Sequence, residues 1–470
     1  MSKINTIVAG AAVLAAVYGG TAWYMGKKAE TEIQRQVTEI NTALATHQAV
    51  KLEDGQIKVN VLSYDRGWLS SKINYEVQVE DGGEQYQFLL ADHLRHGPFP
   101  FDALRKGQLR PLLAYSEIQL LQSRPVNKWF EATNGALPLQ AHSFISFNGS
   151  TQSHVALAAV DYQDEDGSRL TTSLAEATID YDKPQGLSSI VAQFPSLSFL
   201  DGENQTQLQL QNTQFTGSLS ESPKAQDVLV SWNMHQSMTI DQVGLTLKGS
   251  EPIYLNQMAA SSSYTLNNEL LDATLTYELG QLLMGNHDFG QAQLEVAAKR
   301  LDYALLAQLS QTEDMDQMDK EELHLLLQQL LAPKPELSIR KLNLTNQAGT
   351  SSLTADLHWA ATAADDYLSE NVELEHYFDV LNVDVALSRA MIQGYFVEES
   401  ILSSMADMLF HRFAKQGQES GLLIYDGKEA KLDLQFDAAT QKLMLNGKAL
   451  TAEQLAQTAA ALFKDGELLF

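Results

Sequence analysis

Two histidines three residues apart are the first candidates for chemistry in this sequence. His93 and His96 follow Asp92, and these side chains could ligate zinc if the segment were helical. The four residues that come next are Gly97, Pro98, Phe99 and Pro100. The prolines argue against a helix, because proline fixes its own backbone and restricts the residue before it. With no third ligand to nominate, we predict no metal site here. We expect a local hydrogen bond from His96 and a rigid corner with Phe99 in the core.

Two acidic segments raise the question of a cation site. A calcium loop aligned on Gly167 would need acidic first and last ligands, but Tyr162 and Ser173 occupy those positions. We therefore predict a hairpin turn there. Residues 313–322 are also rich in carboxylates, which would stabilise the start of a helix through its dipole. Helix capping is accordingly the prediction for this run.

Composition excludes several classes of function. The chain of 470 residues has no cysteine, so disulfides, thiolate zinc sites, iron–sulfur clusters and cysteine nucleophiles are ruled out. Its net charge of −27 disfavours nucleic acid as a partner, because phosphate binding needs clustered Lys and Arg. The nucleophile-elbow, zincin, P-loop and dinucleotide-binding motifs do not occur. We assign no catalytic, cofactor-binding or metal-binding residue, and we do not expect an enzyme.

An uncharged apolar stretch stands near the start of the chain. Residues 7–25 contain 19 residues, which as a helix would span about 28 Å, close to the ~30 Å hydrocarbon core of a bilayer. Trp23 and Tyr24 suit the headgroup zone, and Lys27 and Lys28 would extend into it. We predict one membrane helix whose orientation the lysines leave open. A signal peptide cleaved near residue 20 and a buried soluble helix are the alternatives.

Small residues recur every fourth position along that stretch. They are Ala12, Ala16 and Gly20, with Ala11, Ala15 and Gly19 beside them. Such a ridge lets two helices approach closely in lipid, so the first three residues predict a homodimer face. The simpler explanation is that alanine and glycine are common in membrane helices, and the sequence leaves both open.

Alternation of apolar and polar residues dominates the rest of the chain. It is clearest in residues 57–61, 73–79, 86–88, 206–210, 229–234 and 337–342. Alternation with Gly and Asn between the runs predicts a long antiparallel meander whose strands are apolar on one face. The same pattern fits a packed face and an open apolar groove that would receive lipid tails.

Helical spacing of apolar residues interrupts the strands in a few places. It predicts a juxtamembrane helix over 28–50, a helical pair over 299–311 and 317–331, a helix over 388–415, and a last helix over 452–463. The predicted fold class is α+β, mainly an antiparallel β meander or curved sheets with interspersed helices, plus the N-terminal transmembrane helix. We divide the chain into an anchor over 1–27, the juxtamembrane helix, and β-rich regions over 51–333 and 334–470.

Several short motifs occur in order along the chain. They are GGTAWYMG over 19–26, YDRGWLSS over 64–71, HGPFP over 96–100, YDGK over 425–428 and LNGK over 445–448. This ordered set resembles the YdgA-like family of Gram-negative envelope proteins. The resemblance implies an inner-membrane protein with a single N-terminal anchor, a periplasmic body and, as one expectation, a dimer. The family's role is unassigned, so the resemblance supplies no catalytic residue.

The motif residues have a structural interpretation. The sequence predicts a tight bend between two strands at Arg66, Gly67 and Trp68, with Trp68 packing below it. The fixed corner is formed by His96, Gly97, Pro98, Phe99 and Pro100. We expect both motifs to be structural.

Three functions remain in competition. A structural or protein-interaction role in the envelope is the first expectation, and it predicts a filled core without a groove. A lipid-handling module predicts a long apolar groove lined by strands. An envelope hydrolase predicts a cleft where carboxylates or histidines converge. The expected partners are the membrane, a second copy of the chain, and lipid or another envelope protein.

Overall fold

Antiparallel strands make up most of the part of the chain that the structure, a computed structural model, describes. That part comprises residues 37–38, 41–42, 56–67, 70–81, 83–96, 99–221, 232–309, 320–360, 374–396 and 401–463. The strands, numbered in chain order, are β1 Gln56–Arg66, β2 Ser70–Asp81, β3 Glu84–His96, β4 Ala114–Leu121, β5 Leu139–Ile145, β6 Thr151–Leu157, β7 Val160–Gln163, β8 Arg169–Thr172, β9 Ala175–Asp182, β10 Leu187–Asp201, β11 Thr206–Glu221, β12 Trp232–Thr246, β13 Ile253–Asn267, β14 Leu270–Met284, β15 His287–Asp302, β16 Glu336–Asn346, β17 Gly349–Trp359, β18 Phe378–Ser388, β19 Ile424–Tyr425, β20 Glu429–Asp437, β21 Lys442–Leu445 and β22 Lys448–Ala449.

Helices are fewer and mostly short. They are α1 Phe101–Arg105, α2 Asn127–Ala132, α3 Tyr303–Leu309, α4 Lys320–Leu331, α5 Leu374–Tyr377, α6 Arg389–Gln393, α7 Ile401–Ser420 and α8 Ala452–Phe463. Among the described residues, no helix is long and apolar enough to cross a membrane. The membrane helix predicted over 7–25 and its proposed dimer face lie outside the described residues.

The first compact unit takes in the described residues up to Glu221, together with Val243–Ser250. Its strands pair antiparallel in the order β1, β2, β3, β4, β5, β6, β9, β10, β11. The hairpin of β7 and β8 joins the far half of β10, where β9 has ended. Nearly every strand therefore lies beside its neighbour in sequence, as the alternating pattern predicted.

A filled core lies under one face of β1 to β6. Val59, Val77 and Leu120 are fully buried there, and Val37 of the preceding helical segment packs on them. Asn41 completes that segment's contact with β1: its amide donates to the carbonyl of Val59 at 2.8 Å and accepts from the Val59 N–H at 2.8 Å. A side-chain amide thus satisfies backbone groups at the edge of the first strand.

The second compact unit takes in residues 232–242 and the described residues from Glu251 onward. From β13 to β18 each strand pairs antiparallel with the next, and β18 then pairs with β20. The other edge of β20 is shared by β19 and β21, and β22 pairs with β21. The predicted domain boundary near residue 333 stays a prediction.

Helix α7 has the most extensive packing among the helices of this unit. Phe410 and Ala414 on α7 are buried against Leu423, Tyr425 and Ala430. Gly417 lies so close to Leu423 that a Cβ there would stand 2.4 Å from a methyl carbon of that leucine. The helix is therefore fixed on the β19–β20 region by close contact along its second half.

Two helix predictions are corrected by the structure. Residues 299–302 end β15, because Lys299 pairs with Glu336 in register and Leu301 pairs with Leu271. The helix expected from 299 therefore begins at Tyr303. The long helix expected over 388–415 is confirmed in part: Ser388 ends β18 and caps the short α6, and the long helix α7 starts only at Ile401.

Other predictions are confirmed. The mainly antiparallel α+β fold is observed, and the last helix spans Ala452–Phe463. Thr451 and Gln454 exchange backbone-to-side-chain hydrogen bonds at its start, which is a capping box. The predicted hairpin turn at Gly167 joins β7 to β8.

Candidate functional site

One face of the second unit's sheet is apolar across as many as eight strands. We call it the apolar face and define it by three rows of residues that pair across the strands. The first row is Ala260, Tyr277, Leu294, Leu342, Leu353, Val385 and Leu432. The second is Ser262, Leu275, Val296, Ile339, Ala355, Val383, Leu434 and Leu445. The third is Tyr264, Ala273, Ala298, Leu337, Leu357, Leu381, Phe436 and Leu443.

The length of the rows follows from strand spacing. Neighbouring strands lie ~4.8 Å apart, so the seven positions of the first row extend over about 29 Å. That is about twice the depth of one leaflet of the ~30 Å hydrocarbon core. Ser262 is the one position in the three rows that lacks a large or apolar side chain.

Most of the apolar face is only half-buried. Leu445, Phe436 and Leu443 are buried at the β20–β21 end, whereas Tyr277 is 51% exposed and the remaining residues are intermediate. The first unit provides the contrast, because the equivalent side chains of β2 to β4 are fully buried. Apolar area of this extent left accessible to solvent marks a binding surface more often than a surface without function.

A groove of about 210 Å³ lies on this face, near the first row. Its apolar lining includes Met238, Ile240, Met258, Leu279, Leu294 and Leu342. Pockets for compact drug-sized molecules are typically ~300–1,000 Å³, so this groove is smaller than such a pocket. At the opposite end of the first row, Leu432 packs against the cluster under α7.

The opposite face of the same sheet is polar and carries ion pairs. Glu336 accepts from Lys299 at 2.9 Å and also pairs with Arg300 at 3.1 Å. The hydrogen bond from Lys299, with the charge of Arg300, lowers the pKa of Glu336. Arg340 likewise donates to Glu295 at 3.1 Å. One face thus suits water and the other does not, which is the sheet equivalent of an amphipathic helix.

A second cluster, in the first unit, contains a buried carboxyl group. Asp92 lies inside the core of β2 to β6 and accepts a hydrogen bond from the Ser116 hydroxyl at 2.6 Å. Burial, the main cause, and the charge of Glu117 together raise the pKa of Asp92 to about 7, although the hydrogen bond from Ser116 acts in the opposite direction. Ser143 and Ser153, 2.5 Å apart, extend this buried polar row on the next strands.

A third cluster lies on the other face of that sheet. The rings of His142 and His154 stack with their centroids 4.9 Å apart, beside a polar pocket of about 330 Å³. Burial, with the charges of Lys106 and His154, lowers the pKa of His142 to about 4. Asp92 and His142 lie on opposite faces of one sheet, so these two groups do not belong to one catalytic centre.

The candidate zinc residues are separated in the same way. His93 and His96 are three residues apart in β3 and therefore lie on opposite faces of it. The ring of His96 lies 2.9 Å from the hydroxyl of Ser71, which is 25 residues away on β2, so its hydrogen bond is not the local one expected from the sequence. Within the described ranges, no group of three or more His, Asp or Glu side chains could hold a metal ion.

The structure describes some of the other motif residues. Gly67 follows Arg66 at the end of β1, and its N–H donates to the carbonyl of Ser70 at 2.8 Å in a tight bend. A Cβ at Gly67 would stand 2.8 Å from that same oxygen, so the bend requires glycine. Trp68, Gly97 and Pro98 lie outside the described residues, as do the anchor residues Trp23, Tyr24, Lys27 and Lys28.

The prediction that Phe99 lies in the core is wrong. Its side chain is 56% exposed, whereas Pro100 is buried. The buried apolar residues that follow it are Ala103 and Leu112, which form a cluster with Tyr115 and Phe144. The sequence also gave no reason to single out the residues of the apolar face, although the alternation that places them was visible in 337–342.

Comparison with known proteins gives one family and several distant relatives. The family model described as "Bacterial protein of unknown function (DUF945)" matches residues 1–453. Protein YdgA of Escherichia coli (strain K12) is 23% identical over 96% of this chain and 96% of its own length. The uncharacterized protein YihF of the same strain is 20% identical over 94% and 95%. An uncharacterized protein of Haemophilus influenzae is 30% identical over 35% of this chain and 44% of its own. No solved structure gives a significant match.

Proposed function

This chain belongs to the DUF945 family of bacterial proteins of unknown function, and on that premise we propose that it holds the acyl chains of lipids on its apolar face. The observation that carries the proposal is the three-row apolar face with its groove. The groove favours the lipid-handling alternative, because a structural or interaction role predicted a filled core throughout.

An acyl chain fits this surface better than a peptide does. An extended peptide has backbone N–H and C=O groups that need partners, and a sheet offers such partners along its edges rather than on its face. Acyl chains need no hydrogen bonds, and each buried CH₂ group contributes about 0.8 kcal/mol. The apolar face supplies Leu, Val, Ile and Ala side chains in continuous rows, which meets that requirement.

The proposal describes binding rather than catalysis. It retains the predicted single anchor over 1–27, the body in the periplasm and the inner membrane as its location. In that arrangement the membrane is the source of the lipid, and the sheet shields its tails from water. The predicted contact between two anchor helices through Ala12, Ala16 and Gly20 is compatible with this role and independent of it.

Photolabelling tests the proposal. The full chain is reconstituted in vesicles that contain a phospholipid with a photoreactive diazirine in its acyl tail, and labelled peptides are identified by mass spectrometry. We expect label in β13 to β18, in addition to any label in the N-terminal segment. Labelling confined to the N-terminal segment would contradict the proposal.

Two variants on adjacent positions of β17 sharpen the test. Leu353→Asn places an amide on the apolar face, and because a buried amide without a partner costs free energy, labelling of β16 to β18 should fall at least about fivefold. Thr354→Asn is the matched control, since Thr354 points to the polar face and is exposed. Equal labelling of the two variants would overturn the assignment of the face.

A further inference from the structure

A segment of the first unit combines exposed apolar side chains with positive charge. We call residues 99–111, which contain α1, the basic tip. Phe101 is 69% exposed and Leu109 is 75% exposed, and Phe99 and Leu104 are exposed beside them. Large apolar side chains are usually buried, yet four of them are exposed to solvent within eleven residues.

The charge of the basic tip is opposite to that of the chain. Arg105, Lys106 and Arg110 are exposed there, in a chain whose net charge is −27. The acid of the segment, Asp102, forms an ion pair with Arg95 of β3. Arg105 lies over the ring of Phe101, 5.9 Å from its centre, so a cation and an exposed aromatic ring are presented together.

The base of the tip is held by packing and hydrogen bonds. Ala103 and Leu112 are buried with Tyr115, and the N–H of Gln108 donates to the carbonyl of Ala103 at 3.0 Å. The exposed side chains therefore project from a folded support. Displaying them costs little further ordering when a partner binds.

We propose that the basic tip docks on the surface of a bilayer that contains anionic lipids. Phe99, Phe101 and Leu109 enter the boundary between headgroups and tails, and the three cations contact the anionic headgroups. Charge complementarity selects this partner, because a basic segment on an acidic protein is attracted to a negative surface that repels the rest of the chain. The inference is independent of acyl-chain binding in the second unit.

A single fluorescent label tests the docking directly. The chain has no cysteine, so Leu109→Cys allows one environment-sensitive NBD label in the full protein. The label is followed after reconstitution with vesicles of phosphatidylcholine, with or without phosphatidylglycerol. We expect a blue shift and a rise in emission that depend on phosphatidylglycerol and are quenched by lipids with a nitroxide near the headgroup. Glu203→Cys, on an exposed turn of the same unit, is the matched control and should not respond.

A charge variant separates electrostatic docking from other contacts. Replacing Arg105, Lys106 and Arg110 by Gln in the labelled protein should weaken the phosphatidylglycerol-dependent response about fivefold for each charge removed. Identical spectra for labels at 109 and 203 in all vesicles would overturn the proposal. A response that needs no lipid and grows with protein concentration would overturn it in favour of contact with a second copy.

Discussion

At the scale of single residues, the main feature is the buried carboxyl group of Asp92. It sits in a packed core, accepts a hydrogen bond from Ser116, and has its pKa raised to about 7, mainly by burial. Its ordinary value is 3.8. The neutral acid is therefore the form that the folded protein favours, and ionisation opposes folding.

This residue gives a pH-dependent prediction. Because the folded-state pKa is above the unfolded one, its contribution to stability is complete below about pH 4 and is lost as the pH rises to about 7. The loss is on the order of 4 kcal/mol over that interval. Asp92→Asn removes the ionisation. The free energy of urea unfolding, measured from about pH 4 to about pH 8, should therefore change less with pH in the variant than in the wild type.

An exposed carboxyl provides the control. Asp65→Asn, at an exposed position on β1, should show the same pH dependence of the unfolding free energy as the wild type. Parallel pH profiles for the wild type and Asp92→Asn would mean that Asp92 is ionised in the folded protein without penalty.

Residue-scale prediction from sequence succeeded where local geometry decides. The bend at Gly67 follows from the chain's own backbone, whereas the hydrogen bond of His96 reaches Ser71, 25 residues away on the neighbouring strand, and was not predicted. It failed for Phe99, because the burial of a side chain depends on its tertiary neighbours. Ala103 and Leu112 are buried nearby in the sequence while Phe99 is exposed, and no local pattern predicts which of several apolar side chains is buried.

At the scale of elements, α7 depends on one ion pair as well as on its packed face. Arg389 at the start of α6 donates to both carboxylate oxygens of Asp407 on α7, at 2.5 and 2.7 Å. The bond lowers the pKa of Asp407. The pair is partly exposed, so its contribution lies toward the lower end for charge-assisted bonds, about 1 kcal/mol.

Loss of that pair should loosen α7 selectively. Asp407→Asn is expected to speed hydrogen exchange of the amides in Ile401–Ser420 about fivefold, while the amides of β13 to β17 keep their rates. Glu419→Gln, an exposed position on the same helix, should change neither. Unchanged exchange in Asp407→Asn would show that the packed face alone holds the helix.

The half-buried state of the apolar face can be tested in the lipid-free protein. Leu445→Ala, at a buried position of the second row, should cost about 2–5 kcal/mol of unfolding free energy. Leu294→Ala, on the half-buried first row, should cost less than about 1 kcal/mol, because solvent already reaches the site. Equal losses in urea unfolding would mean that the face is covered.

Elements were predicted well where one periodicity prevailed and poorly where two competed. Residues 299–302 have helical apolar spacing, yet they continue a strand because the partner strand supplies the in-register pairing of Lys299 with Glu336. The prediction also ran past the end of α6, which stops at Gln393 with Gly394 as its C-cap, because apolar residues continue at helical spacing beyond that glycine. Tertiary pairing decided the first case, and the sequence of one segment does not contain it.

At the scale of the whole molecule, the alternating sequence of each strand predicted the antiparallel meander. It did not distinguish β1 to β6 of the first unit, whose apolar side is filled, from the second unit, whose apolar side is mostly half-buried. Both have the same period of two, and the difference lies in which segments cover the sheet. Membership in DUF945 confirms the resemblance to YdgA-like proteins and leaves the activity to be established from this surface.

Site-specific cross-linking in cells tests the central claim most directly. A photoreactive benzoylphenylalanine is placed at position 294, on the apolar face, or at position 295, on the polar face of the same strand of the full chain, where Glu295 pairs with Arg340. The account predicts a lipid adduct, found by mass spectrometry of the purified peptide, at 294 and not at 295. Absence of a lipid adduct at 294, equal adducts at both positions, or a protein adduct in place of lipid at 294 would contradict it.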